Sequence, residues 1–502
     1  MTYDIKVFYQ DYSHAKIEAS NSLIMEIREY FSFEVEGARF NPKFKWGSWD
    51  GKIRLMDNNG LLPIGLVTML VKFAKENDYS IYVDEMFRPE HLINRADFDK
   101  WVEQLSIYAG DKEIKPYYYQ ADSVFEAINS QRRTLNLPTS AGKSLIQSLI
   151  ARWYFENMEG KILMIVPTTA LVDQMIDDFT DYRLFPRQAL LGIRGGTKRD
   201  DSRAVVYVST WQTACKQPAE WFEQFGCLMV DECHLATGAQ ISKIVKNMVN
   251  CRFKFGLSGS LRDGKANVLQ YIGMFGDVYR PVTTKTLMEE GQVTELKINS
   301  IFLRYPDEET IVMKGSDYQK EIKYITEHRK RNAWICRLSL KLAKEKNQNT
   351  LVLFKNIKHG KLLYEALKAK HDKVFYISGE TDTDTRTVLK KAAENDNGMI
   401  IVASYGVMST GVSIKNLHHV IFAHPIKSKI MVLQSIGRVL RLHGSKAFAT
   451  LWDIVDNIAV KTKSKTAKKK YSHVNYGMKH GLERIQRYNS EKFDYNIVEV
   501  EL

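Results

Sequence analysis

Residues 137–144 read LPTSAGKS. The last three, Gly142-Lys143-Ser144, close a phosphate-binding loop of the pattern G-x-x-x-x-G-K-[ST], yet Leu137 stands where that pattern opens with glycine. The loop runs into LIQSLIARWYFEN, in which Leu145, Ile146, Leu149, Ile150 and Trp153 recur at helical spacing. Ser144 is therefore expected near a helix N-terminus, where backbone N–H groups and the positive dipole end favour an anion. In such a loop Gly142 permits close backbone approach, Lys143 reaches the β- and γ-phosphates, and the Ser144 hydroxyl binds Mg2+. Pro138, Thr139, Ser140 and Ala141 complete the candidate cradle.

A second segment, MVDECH, carries the complementary chemistry. An apolar run ends in two carboxylates, Asp231 and Glu232. At a strand end Asp231 can hold Mg2+, partly through water, and Glu232 can orient and deprotonate an attacking water. A Gly-Lys-Ser loop followed by a strand-end carboxylate pair is the layout of a nucleoside-triphosphatase site, so ATP and Mg2+ are the expected ligands.

The surrounding pattern is α/β. Apolar runs alternate with longer amphipathic stretches: KILMIVP (161–167), AVVYVST (204–210), CLMVDE (227–232), TLVLFKN (350–356), KVFYISG (373–379), MIIVAS (399–404) and HVIFAH (419–424). Such runs read as buried parallel strands covered by helices. They fall into two groups, separated by a stretch (279–300) without a strong strand series, which puts a boundary near residue 290. Residues 1–112 mix short strand-like segments with turn signals such as Asn58-Asn59-Gly60 and read as a small α+β domain. The expected organisation is therefore 1–112, 113–290, 291–460 and a basic C-terminal extension over 461–502.

With 502 residues the chain is too long for one core. It carries 72 Lys+Arg against 59 Asp+Glu, a net charge of +13, which favours polyanionic partners. Its five cysteines form no C-x-x-C pair and suit free thiols in a reducing cytoplasm. No secretory signal is visible at the N-terminus, and LLPIGLVTMLVKF is too short to span a bilayer, so a soluble, cytoplasmic protein without a membrane partner is expected.

Asp231-Glu232-Cys233-His234 resembles the DExH box of superfamily 2 helicases and translocases, a family that tolerates a non-glycine first loop residue such as Leu137. Further segments resemble its motifs in order. PYYYQ resembles the adenine-reading Q motif, with Gln120 as the glutamine; VPTTALVDQ and VSTWQT resemble motifs Ia and Ib, and LSGSLRD motif III. LVLFKN resembles motif IV, ASYGVMSTGVSI motif V and QSIGRVLR motif VI. The resemblance implies two tandem RecA-like parallel-sheet domains. It also implies that Gln434, Arg438 and Arg441 act at the γ-phosphate, the arginines as fingers, and that His234, Ser258, Gly259 and Ser260 couple ATP to the nucleic-acid path. That path would run over Thr168, Thr169, Gly195, Gly196, Thr210, Lys355, Ser378, Gly379, Ser404, Thr410 and Gly411, whose hydroxyls and bare backbone suit phosphate oxygens. Motif V departs from the family form at Ser413, where aspartate is common.

In FNPKFKWGSWDGKIRLMDNNG, Lys43, Lys45, Lys52 and Arg54 interleave with Phe44, Trp46 and Trp49. Lys43, Lys45, Trp46 and Trp49 are either a nucleic-acid contact, with cations on phosphates and aromatics on bases, or the core and rim of a small domain. The lysine run from Lys461 to Lys470 is either a solvated tail or a polyanion grip. Together with the motor motifs, these segments closely resemble the UvsW-like, Rad25-related helicases of T-even bacteriophages over the whole chain. That resemblance implies an ATP-dependent, 3′-to-5′ DNA helicase acting in a host cytoplasm on forks, four-way junctions and R-loops, in recombination, replication and repair. The residues alone leave an RNA or RNA–DNA hybrid helicase open, since phosphate contacts do not read the 2′-OH. A non-motor binding scaffold is opposed by the intact Lys143, Asp231, Glu232 and Arg438, and a restriction-complex motor by the lack of a separate nuclease constellation.

Overall fold

The computed structural model describes residues 3–502 except 36, 89, 195–202, 236–238, 260, 262–264, 410–413, 429–431, 433–434, 438–439, 441 and 463–470. The chain divides into two units: residues 1–137 with 141–281, and residues 282–502 with 138–140.

The first unit opens with a four-stranded sheet in the spatial order Leu61–Pro63, His14–Ala19, Ile5–Tyr9, Ile81–Val83. The alternation of Ile5 and Val7, and of Ala15 and Ile17, puts one face of this sheet in a core with Leu23 and Ile27 of helix Asn21–Tyr30 and Leu70 and Phe73 of helix Val67–Glu76. Leu269 of helix Lys265–Phe275 belongs to the same core. Gly65 makes that approach feasible: a Cβ there would lie 1.9 Å from the carbonyl oxygen of Ile272. A two-stranded ribbon, Ser32–Glu34 with Lys52–Arg54, projects the intervening basic and aromatic loop.

This unit also holds a seven-stranded parallel sheet in the order Leu190–Ile193, Val206–Thr210, Lys161–Val166, Phe225–Val230, Phe253–Ser258, Arg132–Asn136, Val278–Tyr279. The second unit holds another seven-stranded parallel sheet: Val374–Ile377, Ile400–Ser404, Thr350–Phe354, His419–Phe422, Phe448–Asn457, Glu295–Arg304, Tyr495–Glu501. All seven apolar runs in the sequence are strands of these sheets. The α/β class with two parallel sheets is as expected.

Two segments differ from the sequence reading. Residues 279–300 end in the strand Glu295–Arg304, ten residues long, whose first half alternates buried Leu296 and Ile298 with exposed Glu295 and Lys297. Half-buried alternation replaces the continuous apolar run there, so an apolar-run criterion passes over it. Residues 461–502, expected as a basic extension, carry regular structure. Helix Tyr476–Ser490 packs on strand Phe448–Asn457, and Tyr495–Glu501 pairs in parallel with Glu295–Arg304 as an edge strand. In a short antiparallel ladder Val460 pairs with His473 and Lys461 with Tyr471, whereas the lysines at 463–470 lie outside the described residues.

Candidate active site

The strand Arg132–Asn136 delivers the chain into the loop, and helix Lys143–Asn157 receives it. Leu137 is buried and its N–H donates to Ser258 O at 2.9 Å, so the residue that replaces the first glycine is a sheet-anchored core residue. Pro138 and Thr139 lead into the bend, and Ser140 and Gly142 have φ of 73° and 74°, the left-handed region. Gly142 is the residue before the helix, and a Cβ on it would meet Gln120 Nε2 at 2.3 Å. Left-handed backbone and close approach both require glycine here.

Gln120 sits in the first turn of helix Tyr118–Ser130 and is buried. Its Oε1 accepts from Tyr117 N at 2.9 Å and its Nε2 donates to Ala141 O at 3.0 Å. The expected adenine-reading glutamine is thus a brace that ties the start of its own helix to the phosphate loop. Ser144 Oγ lies 2.7 Å from the hydroxyl of Tyr182, at the end of helix Thr169–Asp181. Tyr182 carries no motif, so no signal in the sequence marks it.

Asp231 follows strand Phe225–Val230, and its N–H donates to Ile165 O on the neighbouring strand at 2.8 Å. It is buried, and among the described residues its Oδ1 has no hydrogen-bond partner. Burial first, then the Glu232 charge, push its pKa up to about 7, while the Lys143 ammonium pulls the other way. Such a desolvated, uncompensated carboxylate oxygen near a lysine suits a bound cation. Among the described residues no group of three or more His, Cys, Asp or Glu could hold a metal ion. Glu232 has φ of 49°, a left-handed conformation that is costly without glycine. His234 Nδ1 lies 3.1 Å from Glu232 Oε2 and 2.9 Å from Ser258 Oγ. The expected coupling residues His234 and Ser258 therefore pair with each other across the ends of two adjacent strands, with Glu232 close by; Gly259 follows, and Ser260 lies outside the described residues.

The described candidate nucleic-acid residues lie at or just beyond the C-terminal ends of parallel strands. Thr168 caps helix Thr169–Asp181, its hydroxyl accepting from Leu171 N at 3.4 Å, and Thr169 is exposed. Thr210 is buried, and its hydroxyl is engaged by Thr213 at 3.1 Å to Oγ1 and 3.3 Å to N. In the second unit Lys355 and Gly379 are exposed, Ser404 is half-buried, and Ser378 is buried with its N–H donating to Thr381 Oγ1 at 3.0 Å. Gly195, Gly196, Thr410, Gly411, Ser413, Gln434, Arg438 and Arg441 lie outside the described residues.

In the small domain, Lys43 and Lys45 are exposed on the short helix Pro42–Lys45, and Trp46 is 78% exposed just after it. Phe40 and Phe44 also present ring surface, with the Arg39 guanidinium 4.9 Å from the Phe40 centroid. Trp49 is half-buried, its Nε1 donating to Lys52 O at 2.8 Å. The two tryptophans thus divide the two readings of this loop, one outward and one packed.

A family model for the N-terminal part of the DNA helicase UvsW matches residues 4–84. Models for the res subunit of type III restriction enzymes and for the helicase conserved C-terminal domain match residues 113–263 and 330–443. The ATP-dependent DNA helicase uvsW of Enterobacteria phage T4 is 58% identical over 502 residues, covering 99% of this chain and 100% of that protein. The chain belongs to the UvsW helicase family. The crystal structure of T4 UvsW matches with 56% identity, 99% coverage of both chains and a TM-score of 0.54. Outside the UvsW family, the DNA 3′-5′ translocase XPB2 of Sulfurisphaera tokodaii is 22% identical, over 66% of this chain and 79% of its own. Dbp5 of S. cerevisiae, solved with RNA and ADP BeF3, is 13% identical with a TM-score of 0.52, over 77% of this chain and 90% of its own, and shares the fold. All five cysteines are free, and among the described residues no helix is long and apolar enough to cross a membrane.

Proposed function

We propose that this UvsW-family chain is an ATP-dependent DNA helicase that remodels branched DNA: forks, four-way junctions and R-loops. The observation that carries the ATP half is the buried Asp231 carboxylate beside Lys143, at the ends of strands that also deliver a Gln120-braced phosphate loop. The DNA half is supported by the near-complete alignment with a phage DNA helicase and by the outward Trp46 among Lys43, Lys45 and Arg39.

In this reading Gly142 and the first N–H groups of the loop helix bind the triphosphate, and Lys143 neutralises its β- and γ-oxygens. Ser144 and Asp231 would hold the Mg2+ that accompanies ATP, an ion that neutralises charge on the transferring phosphoryl group. Glu232, held close to His234, takes the proton of the attacking water. His234 and Ser258 transmit the state of Glu232 to the strand end that leads into residues 259–263. Gln434, Arg438 and Arg441 supply the counter-charge at the γ-phosphate. Thr168, Thr169, Thr210, Lys355, Ser378, Gly379 and Ser404, with Gly195, Gly196, Thr410 and Gly411, grip backbone phosphates, and movement is 3′ to 5′. The protein works in recombination, replication and repair in the cytoplasm of an infected host.

Lys143→Ala tests the site: it abolishes ATP turnover and strand displacement while DNA binding persists, and normal turnover in that variant would refute the assignment. Substrate class is settled by ATPase stimulation and unwinding measured across single-stranded DNA, forks, four-way junctions, RNA–DNA hybrids and duplex RNA. Stimulation strongest on duplex RNA would replace the DNA reading with an RNA helicase.

A further inference from the structure

The second unit buries two arginines that the chemistry above does not use. Arg331 lies on helix Arg329–Leu340 and Arg484 on helix Tyr476–Ser490, and both are fully buried. Arg331 donates to Asp456, from Nε to Oδ1 at 2.6 Å and from Nη2 to Oδ2 at 3.0 Å. Arg484 donates from Nε to both carboxylate oxygens of Asp453, at 2.9 and 3.1 Å. The two aspartates belong to one strand, Phe448–Asn457, and each also accepts a tyrosine hydroxyl at 2.9 Å, from Tyr305 and Tyr488. Buried ion pairs of this kind are often no more stabilising than apolar residues of the same volume, because desolvation offsets the attraction. Stability alone is a weak account of two of them on one strand.

What the two arginines share is a second contact. Arg331 Nη2 donates to the carbonyl of Ala423 at 2.8 Å, and Arg484 Nη1 to that of Ile426 at 2.7 Å. Between them the Tyr405 hydroxyl donates to the carbonyl of His424 at 3.2 Å. Tyr405 is itself buried at the start of helix Tyr405–Ser409, in the segment resembling motif V. Three carbonyls of residues 423–426 are thus each held by a buried side-chain donor. This loop leaves strand His419–Phe422 and leads, in sequence, to QSIGRVLR. Buried carbonyls away from a ladder need donors, and donors locked by their own ion pairs fix the backbone they hold.

We propose that Arg331, Tyr405 and Arg484 are positioning residues for ATP hydrolysis, fixing the 423–426 backbone from which the arginine-bearing stretch departs. The proposal rests on the assignment of Arg438 and Arg441 as the counter-charge. It makes the C-terminal helix, through Arg484, part of the hydrolytic apparatus. Displacement of a catalytic group by about 1 Å costs on the order of 100-fold in rate, so a loosened loop is read in kcat while ATP affinity stays.

The test uses the full chain with Arg484→Met, Arg484→Lys, Tyr405→Phe and Arg438→Ala, each checked by circular dichroism and thermal melting. DNA-stimulated kcat and KM for ATP are measured beside amide hydrogen exchange over 423–426. Arg484→Met is expected to lower kcat about 10- to 100-fold with KM within about twofold and faster exchange at 423–426; Arg484→Lys, which can still donate to Ile426 O, recovers part of it. Tyr405→Phe lowers kcat severalfold by the same route, and it decides the matter if Arg484→Met does not fold. Folded variants with wild-type kcat and exchange overturn the proposal. Full turnover in Arg438→Ala would instead overturn the arginine assignment beneath it.

Discussion

The hydroxyl of Ser144, in the first turn of the loop helix, lies 2.7 Å from the hydroxyl of Tyr182. A serine hydroxyl has one proton and two lone pairs. If that proton goes to Tyr182, both lone pairs are left for the loop. Burial pushes the Tyr182 pKa up to about 12, so the ring keeps its own proton and acts as a neutral partner.

Tyr182→Phe is therefore expected to weaken the Mg2+-dependent part of nucleotide binding by about 1 kcal/mol, the net worth of one hydrogen bond. Binding of a fluorescent ATP analogue in EDTA stays unchanged. Titrations with and without Mg2+ check this; equal Mg2+ gains in variant and wild type would refute an orienting role.

Gly142 and Gly47 separate backbone strain from steric collision. Both have positive φ, 74° and 70°, but a Cβ on Gly142 meets Gln120 Nε2 at 2.3 Å whereas one on Gly47 meets nothing within 4 Å. Gly142→Ala should displace Gln120 from Ala141 O and reduce ATP affinity at least tenfold, roughly the 1–3 kcal/mol of a broken buried contact. Gly47→Ala costs only backbone strain and leaves ATP affinity intact. Isothermal titration of both variants distinguishes them.

Lys254 makes the stability of the first unit depend on pH. Its side chain is fully buried, and Nζ donates to Tyr12 O at 2.8 Å and Ser13 Oγ at 2.6 Å, while Ser13 Oγ donates to Val245 O at 2.9 Å. Burial, then the nearby Arg132, lower its pKa from 10.5 to about 7. Above pH 7 the folded chain holds a neutral amine while the unfolded chain still binds a proton. Stability therefore rises from pH 7 toward pH 9, beyond which the Cys251 thiol, raised to about 11, adds an opposing slope. Lys254→Met flattens that rise. Urea denaturation of wild type and variant at pH 7, 8 and 9 is the measurement, and parallel slopes in the two proteins would contradict it.

The two tryptophans of the small domain should behave oppositely. Trp46→Ala, at an exposed side chain, leaves stability within about 0.5 kcal/mol but weakens fork and junction binding by about 1–3 kcal/mol if the ring stacks on a base. Trp49→Ala removes the hydrogen bond to Lys52 O and half-buried ring contacts, and lowers the melting temperature. Fluorescence anisotropy with forked DNA and differential scanning calorimetry read the two effects. Unchanged fork affinity in Trp46→Ala would remove this loop from the DNA path.

Much of the fold is legible in the residues because the strands that announce themselves are those whose faces are both apolar. KILMIVP, CLMVDE and HVIFAH need no partner to declare their burial. Strands carrying polar residues inside are silent: Phe253–Ser258 contains Lys254 and Gly256, Arg132–Asn136 opens with two arginines, and Phe448–Asn457 holds Asp453 and Asp456. Each of Lys254, Asp453 and Asp456 is buried only because a residue far along the chain satisfies it: Ser13, Arg484 and Arg331 respectively.

The order of residues alone identified the family and marked the candidate phosphate loop and the Asp231-Glu232 pair, because each is written in a few adjacent residues whose chemistry is local. Folding in three dimensions is what makes Gln120 brace Ala141, brings Tyr182 to Ser144, and turns Trp46 outward while Trp49 packs. It packs the C-terminal helix on the second sheet, with Arg484 on the Ile426 carbonyl. Those contacts join residues that no periodicity or motif relates; they exist once the strands have stacked and every buried donor has had to find an acceptor.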